Sequence, residues 1–392
     1  MKLLVVANPY PPMVSAGTNR VVRFVRHLPD HGWDPVVLTV RASGPVPEPP
    51  GVPVVRAPVA LPQALLGGGR RRARITAWVG VPDPYVSWVP PAVLRGRGLL
   101  SDGTVRAIFS TSPQPSVHLV AALLARLSGL PWLADFRDPW TTYRYRTYAT
   151  RAHRALDALL ETWALRDPAL VTAVNRPILD DLVSRHPRLA GRTQVLPNGF
   201  DRSEQADEVR LGPGFWFVHT GRLYGRDQQV RSFLAALATL PADVGALFVG
   251  IDGARLGAEA RRLGIGDRVR FEGFVQHGRA LGYQRAAGAL LLVNGRGPES
   301  MSSKVFEYLE AGRPVFAISP VPSAARDLFA EVGGATMVTP DEPMAGPLAA
   351  FVAAAREGRG PVALPDALDR YEADTLTGRL AGLLDALAGT PS

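Results

Sequence analysis

Glu299 and Glu307 stand eight positions apart, with Ser302, Ser303 and Lys304 between them. Two acids around a Ser-Ser-Lys turn suit a ligand that is both anionic and rich in hydroxyls. Ser302 or Ser303 is placed to cap a helix beginning near Lys304, which leaves backbone N–H groups and the positive dipole end facing the preceding loop, where a diphosphate fits. Glu299 follows the apolar run Ala289-Leu290-Leu291-Leu292-Val293 and can accept hydrogen bonds from sugar hydroxyls. Glu307, one turn into the helix, can reach a ribose diol. Lys304 offers a second phosphate contact. The chain has only two lysines, Lys2 and Lys304, against 42 arginines, so a lysine inside this motif is not compositional drift. The plainer alternative is a solvated helix with two surface acids. Position argues for the ligand: the segment lies after one expected strand and before the next, which begins past Gly312-Arg313-Pro314, and open α/β sheets bind ligands there.

Two further constellations carry chemistry. Val218-His219-Thr220-Gly221-Arg222-Leu223-Tyr224-Gly225-Arg226 closes an apolar strand. Its glycines let the backbone approach a ligand, and Arg222 can clamp diphosphate oxygens in a bidentate manner. Asp135-Phe136-Arg137-Asp138-Pro139-Trp140 ends another strand and gathers two carboxylates and a guanidinium. These could hold acceptor hydroxyls or the reacting sugar, and a structural Asp–Arg ion pair is the competing reading. Arg20, at a helix start, could add a phosphate or acceptor contact. His118 is more often a packed histidine than a base.

The elements that must position these residues follow from periodicity. Apolar runs at 2–7, 35–40, 52–57, 105–109, 131–135, 169–173 and 193–196 alternate with amphipathic stretches, and a second series lies at 214–220, 244–250, 268–272, 288–293, 314–318 and 334–338. Such alternation means parallel sheets covered by helices on both faces, and two series mean an α/β chain of two Rossmann-like domains. The expected boundary lies between Asn198 and Gly214. The expected domains are 1–200 and 201–370, with 371–392 as a final helical segment. Gly67-Gly68-Gly69-Arg70-Arg71-Arg72-Ala73-Arg74, followed by Trp78, Tyr85 and Trp88, breaks the alternation. It is read as a solvated loop whose tryptophans pack on the first domain, with a membrane or acceptor lid as the alternative.

The motifs resemble a known family. Glu299 to Glu307 is similar to the E-x7-E motif of retaining nucleotide-sugar glycosyltransferases of the GT-B fold, and Glu307-Tyr308-Leu309-Glu310-Ala311-Gly312-Arg313-Pro314-Val315 to its family 4 form. Pro11-Pro12-Met13-Val14-Ser15-Ala16-Gly17-Thr18-Asn19-Arg20, the Asp135–Trp140 block and Leu196-Pro197-Asn198-Gly199-Phe200-Asp201 resemble other blocks of that family, in family order. The resemblance implies an acceptor-binding first domain and a donor-binding second one facing across a cleft, with the last helix, in 371–392, crossing back to the first domain. It implies Arg222, Lys304, Glu299 and Asp138 as catalytic residues. Donor binding would fall to Gly17, Gly221, Arg226, Phe274, Val275, Ser302, Ser303 and Glu307, and acceptor binding to Arg20, Asp135, Arg137 and His118. The family's lysine after the Gly-Arg turn is absent, which leaves Arg226 as its substitute. The histidine common near Asp138 is also absent. Phe274 and Val275 would read the nucleobase through main-chain groups. Attack would occur on the face from which the leaving group departs, with a donor phosphate oxygen taking the proton.

Composition sets the outer limits. With 392 residues, 46% hydrophobic and 20% charged, the chain is long enough for two cores. There is no cysteine, and seven histidines show no ligand spacing, so the expectation is a reaction without metal or cofactor, with the nucleotide sugar as co-substrate. Residues 1–200 hold 24 basic against 12 acidic side chains and residues 201–392 hold 20 against 23, which suggests an anionic partner for the first domain. Nucleic acid is excluded for want of a binding signature. A small-molecule, glycan or lipid-linked acceptor fits. Without a membrane-length apolar run, a cytoplasmic protein with possible peripheral contact at the inner membrane face is expected. The rival readings are a GT-B enzyme of other chemistry, such as a nucleotide-sugar epimerase, and a non-catalytic partner protein.

Overall fold

The computed structural model describes residues 1–13, 16–60, 78, 80–223 and 225–389. It divides into two compact units, Met1–Asn198 together with the chain from Ala373, and Gly199–Glu372. The first is built on a seven-stranded sheet in the order β3-β2-β1-β4-β5-β6-β7. Its strands are β1 Lys2–Ala7, β2 Asp34–Val40, β3 Val54–Ala57, β4 Val105–Thr111, β5 Trp132–Phe136, β6 Leu170–Ala173 and β7 Thr193–Val195. The second has a six-stranded sheet in the order β10-β9-β8-β11-β12-β13. These strands are β8 Phe215–Thr220, β9 Val244–Val249, β10 Val269–Glu272, β11 Ala289–Val293, β12 Val315–Ile318 and β13 Ala335–Val338. Every pairing is parallel. All the strand expectations are met to within two residues at either end. Unbroken apolar runs such as Leu3-Leu4-Val5-Val6-Ala7 and Ala289-Leu290-Leu291-Leu292-Val293 are buried throughout, as a sheet covered on both faces requires.

The helices used below are α1 Ala16–His27, α2 Ser116–Ser128, α3 Arg151–Ala164, α4 Asp227–Leu237, α5 Lys304–Glu310, α6 Ala324–Val332 and α7 Ala373–Ala388. In α7, Leu376, Leu380 and Leu384 repeat at helical spacing and are buried in the first unit's core with Val21, Phe24 and Phe109. Its start is tied down by His31 Nε2 at 2.7 Å from Asp374, and its last turns by Trp33 Nε1 donating to Asp385 at 2.9 Å.

In each sheet the strand order reverses once, between β1 and β4 in the first and between β8 and β11 in the second. At such a switch point the loops leaving the carboxyl ends diverge, and a ligand can settle between them. Arg222, Glu299 and Lys304 lie on loops and a helix that leave the second of these points. Gly17 lies in the first turn of α1, the helix that follows β1, and Asp135 is the penultimate residue of β5, one strand beyond β4.

Candidate active site

The turn after β8 and the start of α5 bring two cations, Lys304 and Arg226, together. Gly221 has a φ of +80°, a conformation that favours glycine, and a Cβ there would meet Lys304 Cε at 2.9 Å and Nζ at 3.2 Å. A side chain at Gly221 would push the lysine out. Lys304 Nζ lies 3.3 Å from Nε2 of His219, and His219 Nδ1 lies 2.9 Å from the carbonyl oxygen of Leu291. A carbonyl only accepts, so Nδ1 carries the proton and Nε2 presents a lone pair to the ammonium. His219 is 1% exposed. Burial, then the Lys304 ammonium, hold it neutral, far below its ordinary range. Lys304 is pushed down to about 7, first by loss of water around the ammonium and then by the Arg226 guanidinium, with Glu307 acting the other way. Arg226 Nη1 donates to the Val293 carbonyl at 3.3 Å. Arg222 is exposed on the same turn. Buried like charges are costly, and an anion placed among them would relieve that cost.

The loop from β11 to α5, which carries Glu299, is fixed by a residue that sequence reasoning missed. Asn294 is 1% exposed; its Nδ2 donates to Ser300 O and Ser319 Oγ, both at 3.2 Å, and its Oδ1 accepts from Ser302 N at 3.2 Å. Ala324 N, at the start of α6, donates to Pro298 O at 2.8 Å. The signal was available: an Asn directly after a fully buried strand must find internal partners. Helix α5 is locked to β8 in turn, because Tyr308 Oη accepts from Thr220 N at 2.9 Å and Gln284 Nε2 donates to Thr220 Oγ1 at 3.0 Å. The expected serine cap is corrected. Ser303 occupies the cap position with helical φ −58° and ψ −24° and its side chain caps nothing, since a capping hydroxyl needs the extended backbone. Ser302 and Ser303 are both half-buried. Phe274 and Val275 follow β10 at the sheet edge, Phe274 62% exposed and Val275 packed on the core.

In the first unit, the expected acceptor residues separate into two groups. Asp135 is wholly buried, and Arg20 reaches it through Nε at 3.0 Å and Nη2 at 2.8 Å. Thr111 and Thr172 donate to the same carboxylate at 2.7 and 2.8 Å, while Arg20 also donates to the carbonyls of Leu196 and Pro197. Burial alone would raise the Asp135 carboxyl, but Arg20 and the two threonines hold it below the usual range. Arg20 and Asp135 are therefore a satisfied internal ion pair joining α1, β4, β5, β6 and the end of β7, not acceptor contacts. His118 is corrected as well: it is wholly buried, stacked 4.4 Å from Phe136, and pushed down to about 3 by burial. Arg137 and Asp138 remain half-exposed at the end of β5. Arg137 Nη1 donates to Gly17 O at 2.7 Å, and a Cβ on Gly17 would meet that same nitrogen at 2.9 Å. The absence of a side chain at Gly17 thus leaves room for the Arg137 guanidinium against the first turn of α1.

Residues 67–74 lie outside the described residues. Of the aromatics that follow them, Trp88 is buried in the core, Tyr85 packs against it, and Trp78 is 61% exposed with its ring edge-on to His153 at 5.4 Å. Among the described residues, one group of histidine and acidic side chains gathers three potential metal ligands, His27, Asp30 and Asp374, at the surface of the first unit.

Residues 16–199 match the family model described as a glycosyl transferase 4-like domain. These residues are similar to a glycosyl transferase 4-like domain, and the chain as a whole has the GT-B fold. HepE of Anabaena, solved with UDP and glucose, is 17% identical over 98% of this chain and 100% of its own, with a TM-score of 0.66. WaaG, a glycosyltransferase involved in lipopolysaccharide biosynthesis, is 16% identical over 97% of this chain and 99% of its own, with a TM-score of 0.63. A Listeria monocytogenes protein assigned as a UDP-N-acetylglucosamine 2-epimerase is 10% identical over 100% of this chain and 97% of its own, with a TM-score of 0.61. At these identities the likeness is one of fold. No curated protein matches the sequence.

Proposed function

We propose that this protein is a glycosyltransferase that takes a sugar from a nucleoside diphosphate, with UDP as the nucleotide, and transfers it with retention and without a metal ion. The observation that carries the reading is the pairing of Lys304 and Arg226 at the Gly221 turn, with Arg222 exposed on the same turn, at the switch point of the second sheet. Leaving-group charge develops on the diphosphate, and fixed cations in a water-poor site stabilise it without reorganising. Three protein cations supply the charge that a divalent ion would bring. Glu307 holds the ribose diol, Phe274 and Val275 take the base, and Glu299, on the loop pinned by Asn294, orients the sugar. The nucleophile is an acceptor hydroxyl, and its proton passes to a donor phosphate oxygen, so no protein nucleophile is needed. Arg137 and Asp138 are the acceptor-side residues of the first unit.

UDP is favoured because HepE is solved with UDP and with UDP-glucose. The basic excess of residues 1–200 favours an anionic acceptor, glycan or lipid-linked, and work in the cytoplasm with a peripheral contact at the inner membrane face. No helix among the described residues is long and apolar enough to cross a membrane. The test is a thermal-shift screen against UDP, GDP, TDP, ADP and CMP with Glu307→Ala as the control. A rise with UDP that the variant loses is expected. No rise with any nucleotide would overturn the donor reading, and product analysis with UDP-sugars separates transfer from epimerisation.

A further inference from the structure

His219 interrupts an otherwise apolar strand, Phe215-Trp216-Phe217-Val218, just before the Thr220-Gly221 turn. Its ring is enclosed, with the Phe248 ring centroid 6.1 Å away, and is held at both nitrogens. Nδ1–H is fixed on the Leu291 carbonyl of the neighbouring strand β11, so Nε2 has one orientation and one role, which is to accept. The group it faces is the Lys304 ammonium at 3.3 Å. A lysine side chain is long and rotamer-rich, and a preorganised phosphate contact needs its head fixed before the ligand arrives. Glycine at 221 leaves the room, and the imidazole supplies the direction.

We propose that His219 is a positioning residue: as a neutral acceptor anchored across β8 and β11, it aims the Lys304 ammonium at the Gly221 turn, and Lys304 there takes the part of a diphosphate-binding lysine. The inference rests on the donor reading above. The charged and titratable groups facing Lys304 are His219 on β8, Arg226 ahead of α4 and Glu307 on α5 itself. Arg226 opposes the protonated ammonium and Glu307 favours it. His219, uncharged, favours the ammonium through its lone pair alone. A diphosphate anion binds the protonated lysine, so binding is complete in strength below the Lys304 midpoint of about 7 and weakens as pH rises through it.

The experiment uses the chain's two lysines as its probe. Protein labelled with 13Cε-lysine gives one signal each for Lys2 and Lys304, and Lys304→Arg assigns them. The Lys304 signal is expected to titrate near 7. In His219→Phe, which keeps the site dry but removes the acceptor, the midpoint falls by about half a pH unit or more. His219→Gln, whose amide oxygen still accepts, stays nearer the wild type. UDP moves the wild-type midpoint upward, and at pH 7 UDP binds His219→Phe about tenfold more weakly. A Lys304 midpoint near the ordinary lysine value of 10.5 in the wild type overturns the proposal. So does a His219→Phe protein with unchanged midpoint and UDP affinity. If His219→Phe does not fold, a His219→Leu protein, which also lacks an acceptor, with the wild-type midpoint and affinity overturns it equally. If the midpoint responds to His219 but UDP neither binds nor moves it, the donor reading fails and the His219–Lys304 coupling stands.

Discussion

At the scale of single residues, the same side-chain chemistry ends in opposite roles, and exposure decides which. Arg222 follows β8 on the Gly221 turn and Arg20 lies in α1. Arg222 is exposed, whereas Arg20 is 6% exposed with Asp135 and the carbonyls of Leu196 and Pro197 around it. Removing Arg222 should leave folding intact and lower turnover with the donor on the order of 10²-fold or more, as loss of other preorganised charge stabilisers does. Unchanged turnover in Arg222→Ala would remove it from the mechanism. Removing Arg20 should do the reverse. Arg20→Ala strands a buried carboxylate, and breaking one side of such a pair costs about 3–5 kcal/mol. Urea unfolding of the first unit measures this, and a loss below about 1 kcal/mol, as for an exposed pair, would show Asp135 not to depend on Arg20. The place of Arg222 on the turn after a strand was legible in the sequence, but the Arg20–Asp135 pair was not. Arg20 and Asp135 are 115 positions apart, and the pattern that predicts a strand end does not say whether its last carboxylate points to solvent or to another helix.

At the scale of elements, the sequence spoke clearly where burial imposes a period and poorly where local hydrogen bonds compete. Strands read as unbroken apolar runs because both faces are covered. The start of α5 did not read correctly, because a serine before a helix suggests a cap while the chain here is held by Asn294 from β11 and by Tyr308 from within the helix. Those two residues set where the acidic pair and Lys304 stand. Asn294→Ala removes three hydrogen bonds around Ser300, Ser302 and Ser319 and leaves their groups to find water. The expected result is a folded protein whose UDP affinity falls about tenfold, because the Glu299 loop is no longer preorganised. Calorimetric titration with UDP decides it. Wild-type affinity in a stable Asn294→Ala protein would mean that the Pro298–Ala324 contact alone holds the loop.

At the scale of the whole chain, sequence order and spatial unit part company at one place. Helix α7 follows the second sheet in sequence, yet its apolar stripe completes the core of the first unit beside Val21, Phe24 and Phe109. The stripe itself, leucines at 376, 380 and 384, was visible in the sequence as a helix face. What it packs against is set by tertiary complementarity, in which Trp33 and His31 meet Asp385 and Asp374 more than 340 residues away. The arrangement separates two properties that usually fail together. Leu384 is wholly buried, and Leu384→Ala should cost the first unit about 2–5 kcal/mol through lost burial and the cavity left behind. The residues proposed to hold the diphosphate and ribose, Arg222, Arg226, Lys304 and Glu307, belong to the second unit, so UDP affinity should be unchanged within about twofold, as for independent sites. Two-probe unfolding, with urea followed by near-ultraviolet dichroism and by UDP protection, distinguishes the units. Equal loss of stability and of UDP affinity in Leu384→Ala would mean that the donor site depends on the first unit for its integrity, and that the chain folds as one cooperative body.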